Sequence, residues 1–321
     1  MGLNHVGHAE IVRFARDKVN LPKDKEAEYV AQAKRLQDKL ESYVEEHPDF
    51  ELKRLIMSGS VAKGTALKQI NDLDMGCYIM GIEDYNDIPK LIEFLVEKLR
   101  TAFPNFKPEQ IQPNTYSVTV SFRGTGLDVD VVPIIYEGAP NWYGCVVSQR
   151  NGSLLKTSIP LHLEFIRKRK SNQKRHFSQI VRLLKFWKKE KKKEIDGFRF
   201  KSFMIELILA KLADDGYDFS NYVEGLQHFF TYLAKSNIRE LIAFTDYYEE
   251  SELLDYPEPV KIIDPVNAEN NASKLYTSVE ADMIVEAAIE AGDAIDSAIY
   301  ATTKEKTVIY WQKVFGTSFN P

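Results

Sequence analysis

Cysteine is nearly absent from this chain: there are two in 321 residues, Cys77 and Cys145. Two thiols cannot make a disulfide framework, so stability has to come from a packed core, and a reducing compartment is expected. Both read as small buried hydrophobes, Cys77 within the apolar run Met75 to Met80. The six histidines (His5, His8, His47, His162, His176 and His228) are scattered without ligand spacing, which excludes a zinc site built from cysteine and histidine. The longest apolar stretch, Phe203 to Ala213, is broken by Glu206 and Lys211, so no membrane span is expected. The N-terminus lacks the charged start and apolar core of a secretory signal, and a cytoplasmic protein is expected. Internal repeats, low-complexity tracts and flexible linkers are also missing.

The composition that remains is that of an ordinary globular chain, 44% hydrophobic and 28% charged, long enough for one large domain or two closely joined ones. A net charge of −5 hides a local asymmetry. Between Leu161 and Lys201 stand fifteen Lys or Arg against four acids, which leaves this segment at +11 and the rest of the chain at −16. Such a stretch suits a polyanion, either a triphosphate or nucleic acid such as DNA, and it equally suits a solvated helix surface.

Periodicity divides the chain in two. Val30, Ala33, Leu40, Tyr43 and Val44 recur at helical spacing and predict a long helix from Lys23 to Glu46. Strands are expected over Leu52 to Met57, Leu73 to Met80, Thr115 to Phe122 and Leu127 to Ile135, with a helix over Ile88 to Phe103. Asn151-Gly152 suggests a further hairpin. From Ile159 the pattern turns helical, near 160–170, 175–193, 201–213, 221–235 and 279–316, interrupted by the extended piece Lys261 to Pro265. The reading is an α+β fold: a mixed-sheet domain over 1–158, including the N-terminal helix, packed with a cleft against a helical lobe over 159–321.

The chemistry is concentrated in Ser58-Gly59-Ser60-Val61-Ala62-Lys63-Gly64-Thr65, followed by Asn71-Asp72-Leu73-Asp74. Glycine and serine between a strand and a helix supply backbone N–H groups and a hydroxyl for phosphate oxygens. The Walker arrangement, with Gly-Lys-Ser/Thr closing a longer loop, is absent. Asp72 and Asp74 alternate with Leu73 and leave the strand on one face. Asp128 and Asp130 repeat the arrangement within Leu127 to Val132. Side-by-side carboxylates repel unless a cation lies between them, and Mg²⁺ or Mn²⁺ is the hard, oxygen-seeking partner. Together such acids suit a two-metal, in-line displacement at phosphorus.

Gly59-Ser60, Gly64-Thr65, Asp72-x-Asp74 and Asp128-Val129-Asp130-Val131-Val132-Pro133 resemble the signature of polymerase-β-like nucleotidyltransferases. Leu183 to Trp187, Phe200 to Glu206 and Asp264-Pro265-Val266-Asn267 resemble the oligoadenylate-synthase-like branch, which contains the cGAS/DncV-like enzymes (CD-NTases) of bacterial CBASS anti-phage systems. The likeness is strongest to clade C, the CdnC-like enzymes. The resemblance implies a synthase that condenses ATP into a short cyclic oligoadenylate, cyclic tri-AMP, with a HORMA-domain partner and a product-activated effector nuclease. It implies that Asp72, Asp74 and Asp130 are the catalytic metal ligands, with Asp128 the rival for third place. It further implies phosphate contacts from Gly59, Ser60, Lys185 and Ser202, base stacking by Phe203, and Asn267 near the base. The alternatives are an RNA-end nucleotidyltransferase and an ATP-binding scaffold.

Overall fold

The computed structural model of the protein describes residues 5–70, 72–82, 87–148, 152–173 and 175–321. It divides into two compact units, Leu21–Glu164 and Met1–Asn20 with Phe165–Pro321. This differs from a division at 158/159 that keeps the N-terminus with the sheet. The first helix, α1 (His8–Phe14), continues into a π-helical turn, Ala15–Val19. Phe14 lies against Phe186, Phe315 and Phe319, with ring centroids 5.5, 5.1 and 4.8 Å away. Asn20 and Gln179 exchange side-chain hydrogen bonds of 2.9 and 3.0 Å. An aromatic anchor and a paired amide thus tie the start of the chain to the C-terminal unit.

The unit Leu21–Glu164 opens with α2 (Lys23–Glu46), which buries Ala33, Leu36 and Leu40 at helical spacing. There follow β1 (Leu52–Met57), α3 (Gly59–Ala62), β2 (Asp72–Ile79), α4 (Ile88–Ala102), β3 (Ile111–Pro113), β4 (Val118–Phe122), β5 (Leu127–Ile135), β6 (Gly144–Val147) and β7 (Leu154–Thr157). The strand order is β1-β2-β5-β4-β3, with β6 joined to β5 and β7 to β6. Among the described residues of this sheet, only the β2–β5 pairing is parallel, so the sheet is mixed, as expected. Leu73, Met75, Cys77, Val129 and Val131 point into one core with Leu91, Leu95 and Leu99 of α4. That alternation leaves the other face of β2 and β5 to their aspartates.

Two local expectations shift. Thr115 to Ser117 stay outside β4, because the Asn114 N–H donates to the Ser117 carbonyl at 2.8 Å and closes a turn. The hairpin expected at Asn151-Gly152 is β6–β7, paired antiparallel, with Ser148 N donating to Ser153 O at 2.7 Å. Asn151, like Asn71, lies outside the described residues.

In the C-terminal unit come α5 (Ile159–Gln173), whose first turns cross the boundary, then α6 (His176–Glu194), α7 (Ser202–Asp214) and α8 (Tyr222–Ser236). A small sheet, ordered β10-β9-β8, is formed by β8 (Leu241–Ile242), β9 (Lys261–Asp264) and β10 (Asn267–Asn271). The helical stretch expected over 279–316 is two helices, α9 (Ser278–Ile299) and α10 (Lys304–Phe315), the second capped by Thr303. Arg169 is buried and clamps this unit, donating to Asp214 at 2.7 Å and to Asp246 at 2.8 Å. Its guanidinium lies 3.9 Å from the centre of the Phe165 ring. Among the described residues, no helix is long and apolar enough to cross a membrane.

Candidate active site

The parallel register of β2 and β5 sets Asp72 opposite Asp128 and Asp74 opposite Asp130. Neighbouring strands lie about 4.8 Å apart and same-face residues along a strand about 6.6 Å apart, so four carboxylates rise from the corners of a small rectangle. Asp72, Asp74 and Asp128 are exposed and Asp130 is half-buried. Antiparallel β4 adds Thr119 opposite Asp130 and Ser121 opposite Asp128. Each hydroxyl donates to the carboxylate facing it, Thr119 Oγ1 to Asp130 Oδ1 and Ser121 Oγ to Asp128 Oδ1, both at 2.6 Å.

The strand-to-helix turn is drawn tight against these acids. Ser58 N donates to the Asp74 carbonyl at 2.7 Å. Gly59 follows with φ +66°, and a Cβ built on it would overlap the Asp74 carboxylate. Both the left-handed backbone and the close approach therefore call for glycine. Ser60, half-buried, is the second residue of the single turn α3, and its carbonyl accepts from Thr65 N at 2.8 Å.

Hard carboxylate oxygens sharing one face fit Mg²⁺ or Mn²⁺ by donor chemistry. The side chains are nevertheless not closed around a common point. Among the described residues, no three His, Cys, Asp or Glu side chains form a group able to hold an ion. Two of the acids turn an oxygen to β4 hydroxyls, and unneutralised carboxylates repel one another. Backbone register brings the acids onto one face of neighbouring strands.

In the C-terminal unit, Lys185 is buried on α6, and Ser202 and Phe203 are half-buried at the start of α7. The lysine that reaches Ser202 is Lys188, whose Nζ donates to Ser202 Oγ at 2.8 Å. Burial above all, then the like charges of Lys185 and Lys192, pushes the Lys188 ammonium down to about 8, against an opposing pull from Glu206. The motifs that point to Lys185 and Ser202 do not single out Lys188 within the basic stretch. The available signal was its spacing, one helical turn beyond Lys185.

The basic run is also less solvated than its composition suggests. Lys191 is buried and pairs with Glu194 at 2.8 Å, and Lys193 pairs with Glu190. Asn267 is buried at the β9–β10 turn, its side-chain Oδ1 accepting from Glu269 N at 3.1 Å. Asp264 serves the same turn, accepting from Val266 N and from the Asn270 amide.

No protein-family model matches the chain. It is 58% identical over 319 residues to a cyclic AMP-AMP-AMP synthase of Escherichia coli strain MS 115-1, covering 99% of each protein. It is 31% identical over 317 residues to a CBASS oligonucleotide cyclase CdnC of E. coli strain KTE188, covering 97% of each. The chain belongs to the CdnC-type CBASS oligonucleotide cyclases. It is thus a CD-NTase, a nucleotidyltransferase with the α+β fold of that family, as its motifs indicated. Among solved structures, E. coli MS115-1 CdnC with ATP matches at a TM-score of 0.96 and 58% identity over 99% of this chain and 100% of that one. The complex of that CdnC with HORMA-deltaN matches at 0.95 and 57% identity over 99% of each chain.

Proposed function

We propose that this enzyme condenses ATP into cyclic tri-AMP, the second messenger of an anti-phage system. The observation that carries the reading is the register of Asp72 and Asp74 with Asp128 and Asp130 beside Gly59, in a chain 58% identical to a cyclic AMP-AMP-AMP synthase. A ribose hydroxyl of one adenylate attacks the α-phosphorus of an ATP, and pyrophosphate leaves. Repetition lengthens the chain, and a final intramolecular attack of the terminal ribose hydroxyl on the α-phosphorus of the remaining 5′-triphosphate closes the ring and expels the last pyrophosphate.

Asp72, Asp74 and Asp130 are the residues that would hold Mg²⁺, with Mn²⁺ as a substitute. When bound, the cation would neutralise charge developing on the transferring phosphoryl group. Asp130 would also accept the proton of the attacking hydroxyl. In the sheet unit, Gly59 N–H and the Ser60 hydroxyl are the proposed phosphate contacts; in the helical unit, Lys185, Lys188 and Ser202 are the proposed cations and hydroxyl for a phosphate. Phe203 stacks on an adenine. Asn267 is assigned to the β9–β10 turn, which already engages its side-chain Oδ1.

A HORMA-domain protein is the proposed regulator, since the similar CdnC forms such a complex, and a product-activated nuclease is the proposed effector. DNA binding at 161–201 is disfavoured by the carboxylate partners of Arg169, Lys191 and Lys193. Incubation of the pure protein with labelled ATP and Mg²⁺, with and without RNA, tests the reading. A phosphatase-resistant product made without RNA is expected. An extended RNA end would mean a tailing enzyme, and no turnover with or without the partner would leave an ATP-binding scaffold.

A further inference from the structure

The face of β4 beside the acids carries two hydroxyls, and they are not equivalent. Ser121 donates to Asp128. Thr119 donates to Asp130 and is itself an acceptor, because the Asn114 side-chain nitrogen donates to Thr119 Oγ1 at 2.7 Å. The same nitrogen donates to Ser117 Oγ at 3.1 Å and lies 3.4 Å from Asp130 Oδ1. Asn114 is held in turn by the 2.8 Å backbone bond from its N–H to the Ser117 carbonyl.

A threonine hydroxyl has one proton to give. With Asn114 filling an acceptor position on Thr119 Oγ1, that proton is directed at Asp130. An inverted Asn114 amide would present its oxygen to Thr119 and compete for the proton, so the relay has one orientation in which every partner is satisfied. Donation to Oδ1 pins the carboxylate rotamer and leaves Oδ2 as the oxygen less engaged by β4.

We propose that Thr119, supported by Asn114, is the positioning residue that sets the Asp130 carboxylate for metal coordination and thereby selects Asp130 over Asp128 as the third acid. The inference rests on the reading of Asp130 as a metal ligand. The two aspartates have the same neighbours in β2 by type, and both face a hydroxyl on β4. The difference lies in the second link: Asn114 stands behind Thr119, and Asp130 is half-buried where Asp128 is exposed. A hydrogen bond that orients a metal-ligating carboxylate contributes about 10–100-fold in metal affinity.

The test is equilibrium Mn²⁺ binding, read from the free-ion EPR signal with a non-hydrolysable ATP analogue present, alongside turnover. Thr119→Val keeps the β-branched shape on the strand and removes the proton. It is expected to weaken Mn²⁺ binding at least tenfold and to lower kcat while KM for ATP stays within threefold. Thr119→Ser restores both, and Ser121→Ala changes neither by more than threefold. Wild-type Mn²⁺ affinity in Thr119→Val would overturn the proposal while leaving Asp130 as a ligand. Wild-type affinity in Asp130→Ala would remove the reading beneath it. Should Thr119→Val unfold, Asn114→Ala, at an exposed position, decides: a threefold or larger loss of Mn²⁺ affinity supports the relay, and no loss overturns it.

Discussion

Lys188 and Ser202 join α6 to α7 through a 2.8 Å hydrogen bond, which places an ammonium and a hydroxyl together at the first turn of α7. Lys185 lies one turn earlier on the same helix. Burial at Lys188 opposes the charge that the proposed triphosphate contact requires.

That opposition has a pH signature. Lys188 stays protonated below its depressed value of about 8 and loses its charge as pH rises through it. Binding of a non-hydrolysable ATP analogue is expected to weaken roughly tenfold between pH 7 and 9. Lys188→Arg, which keeps its charge, is expected to flatten the dependence. A flat wild-type titration would remove Lys188 from the proposed phosphate contacts.

The two candidates for third carboxylate are separable by single substitutions. Asp130→Ala is expected to reduce turnover by about a hundred- to a thousandfold, the scale of losing one preorganised electrostatic contact. Asp128→Ala should leave measurable product, and Asp72→Asn with Asp74→Asn should abolish turnover without lowering Tm. The reverse ranking of Asp128 and Asp130 would shift the site by one alternation of β5.

Gly59→Ala tests the tight turn. The new Cβ would meet the Asp74 carboxylate at a backbone φ of +66°. A stability loss of about 1–2 kcal/mol is expected from the left-handed conformation, together with a much larger loss of turnover. Retained activity with full stability would show that Asp74 has room to move.

Away from the site, Arg169 gives a stability prediction. Burial disfavours the charged form of Asp246, but the hydrogen bonds and charge of Arg169 outweigh it and hold this carboxyl below its ordinary range. A depressed carboxylate contributes stability above its unfolded value, near 3.9, and loses that contribution as pH falls through the folded value. Asp246→Asn is expected to cost about 2–3 kcal/mol at pH 7. Thermal melts should show its Tm deficit constant above about pH 5 and shrinking as pH falls below about 4. A deficit that does not change with pH would assign the loss to packing.

Much of this arrangement could be read from residue order. Alternation gave β5 its bounds, Leu127–Ile135, and put Asp128 and Asp130 on one face. Helical spacing gave α2, Lys23–Glu46. What remained hidden depends on neighbours distant in sequence. No local pattern shows that Phe14 meets Phe186, Phe315 and Phe319, and this is why the first twenty residues were grouped with the sheet. Nor does a lysine-rich run show which member turns inward. Lys188 and Lys191 differ from Lys192 and Lys193 only by where α7 and α9 lie. Asn114 and Thr119 escaped notice because Thr115 to Ser117 reads as strand, and the turn that Asn114 closes is made by hydrogen bonds rather than by glycine or proline.

The most direct measurement is mass spectrometry of the product formed from ATP and Mg²⁺ by the purified enzyme, with the HORMA-domain partner supplied if the enzyme alone is silent. The expected product is a ring of three adenylates that resists phosphatase and is not formed by the Asp72→Asn, Asp74→Asn variant. A linear product, a ring that requires GTP or a pyrimidine nucleotide, or the same ring made by that variant would contradict the account.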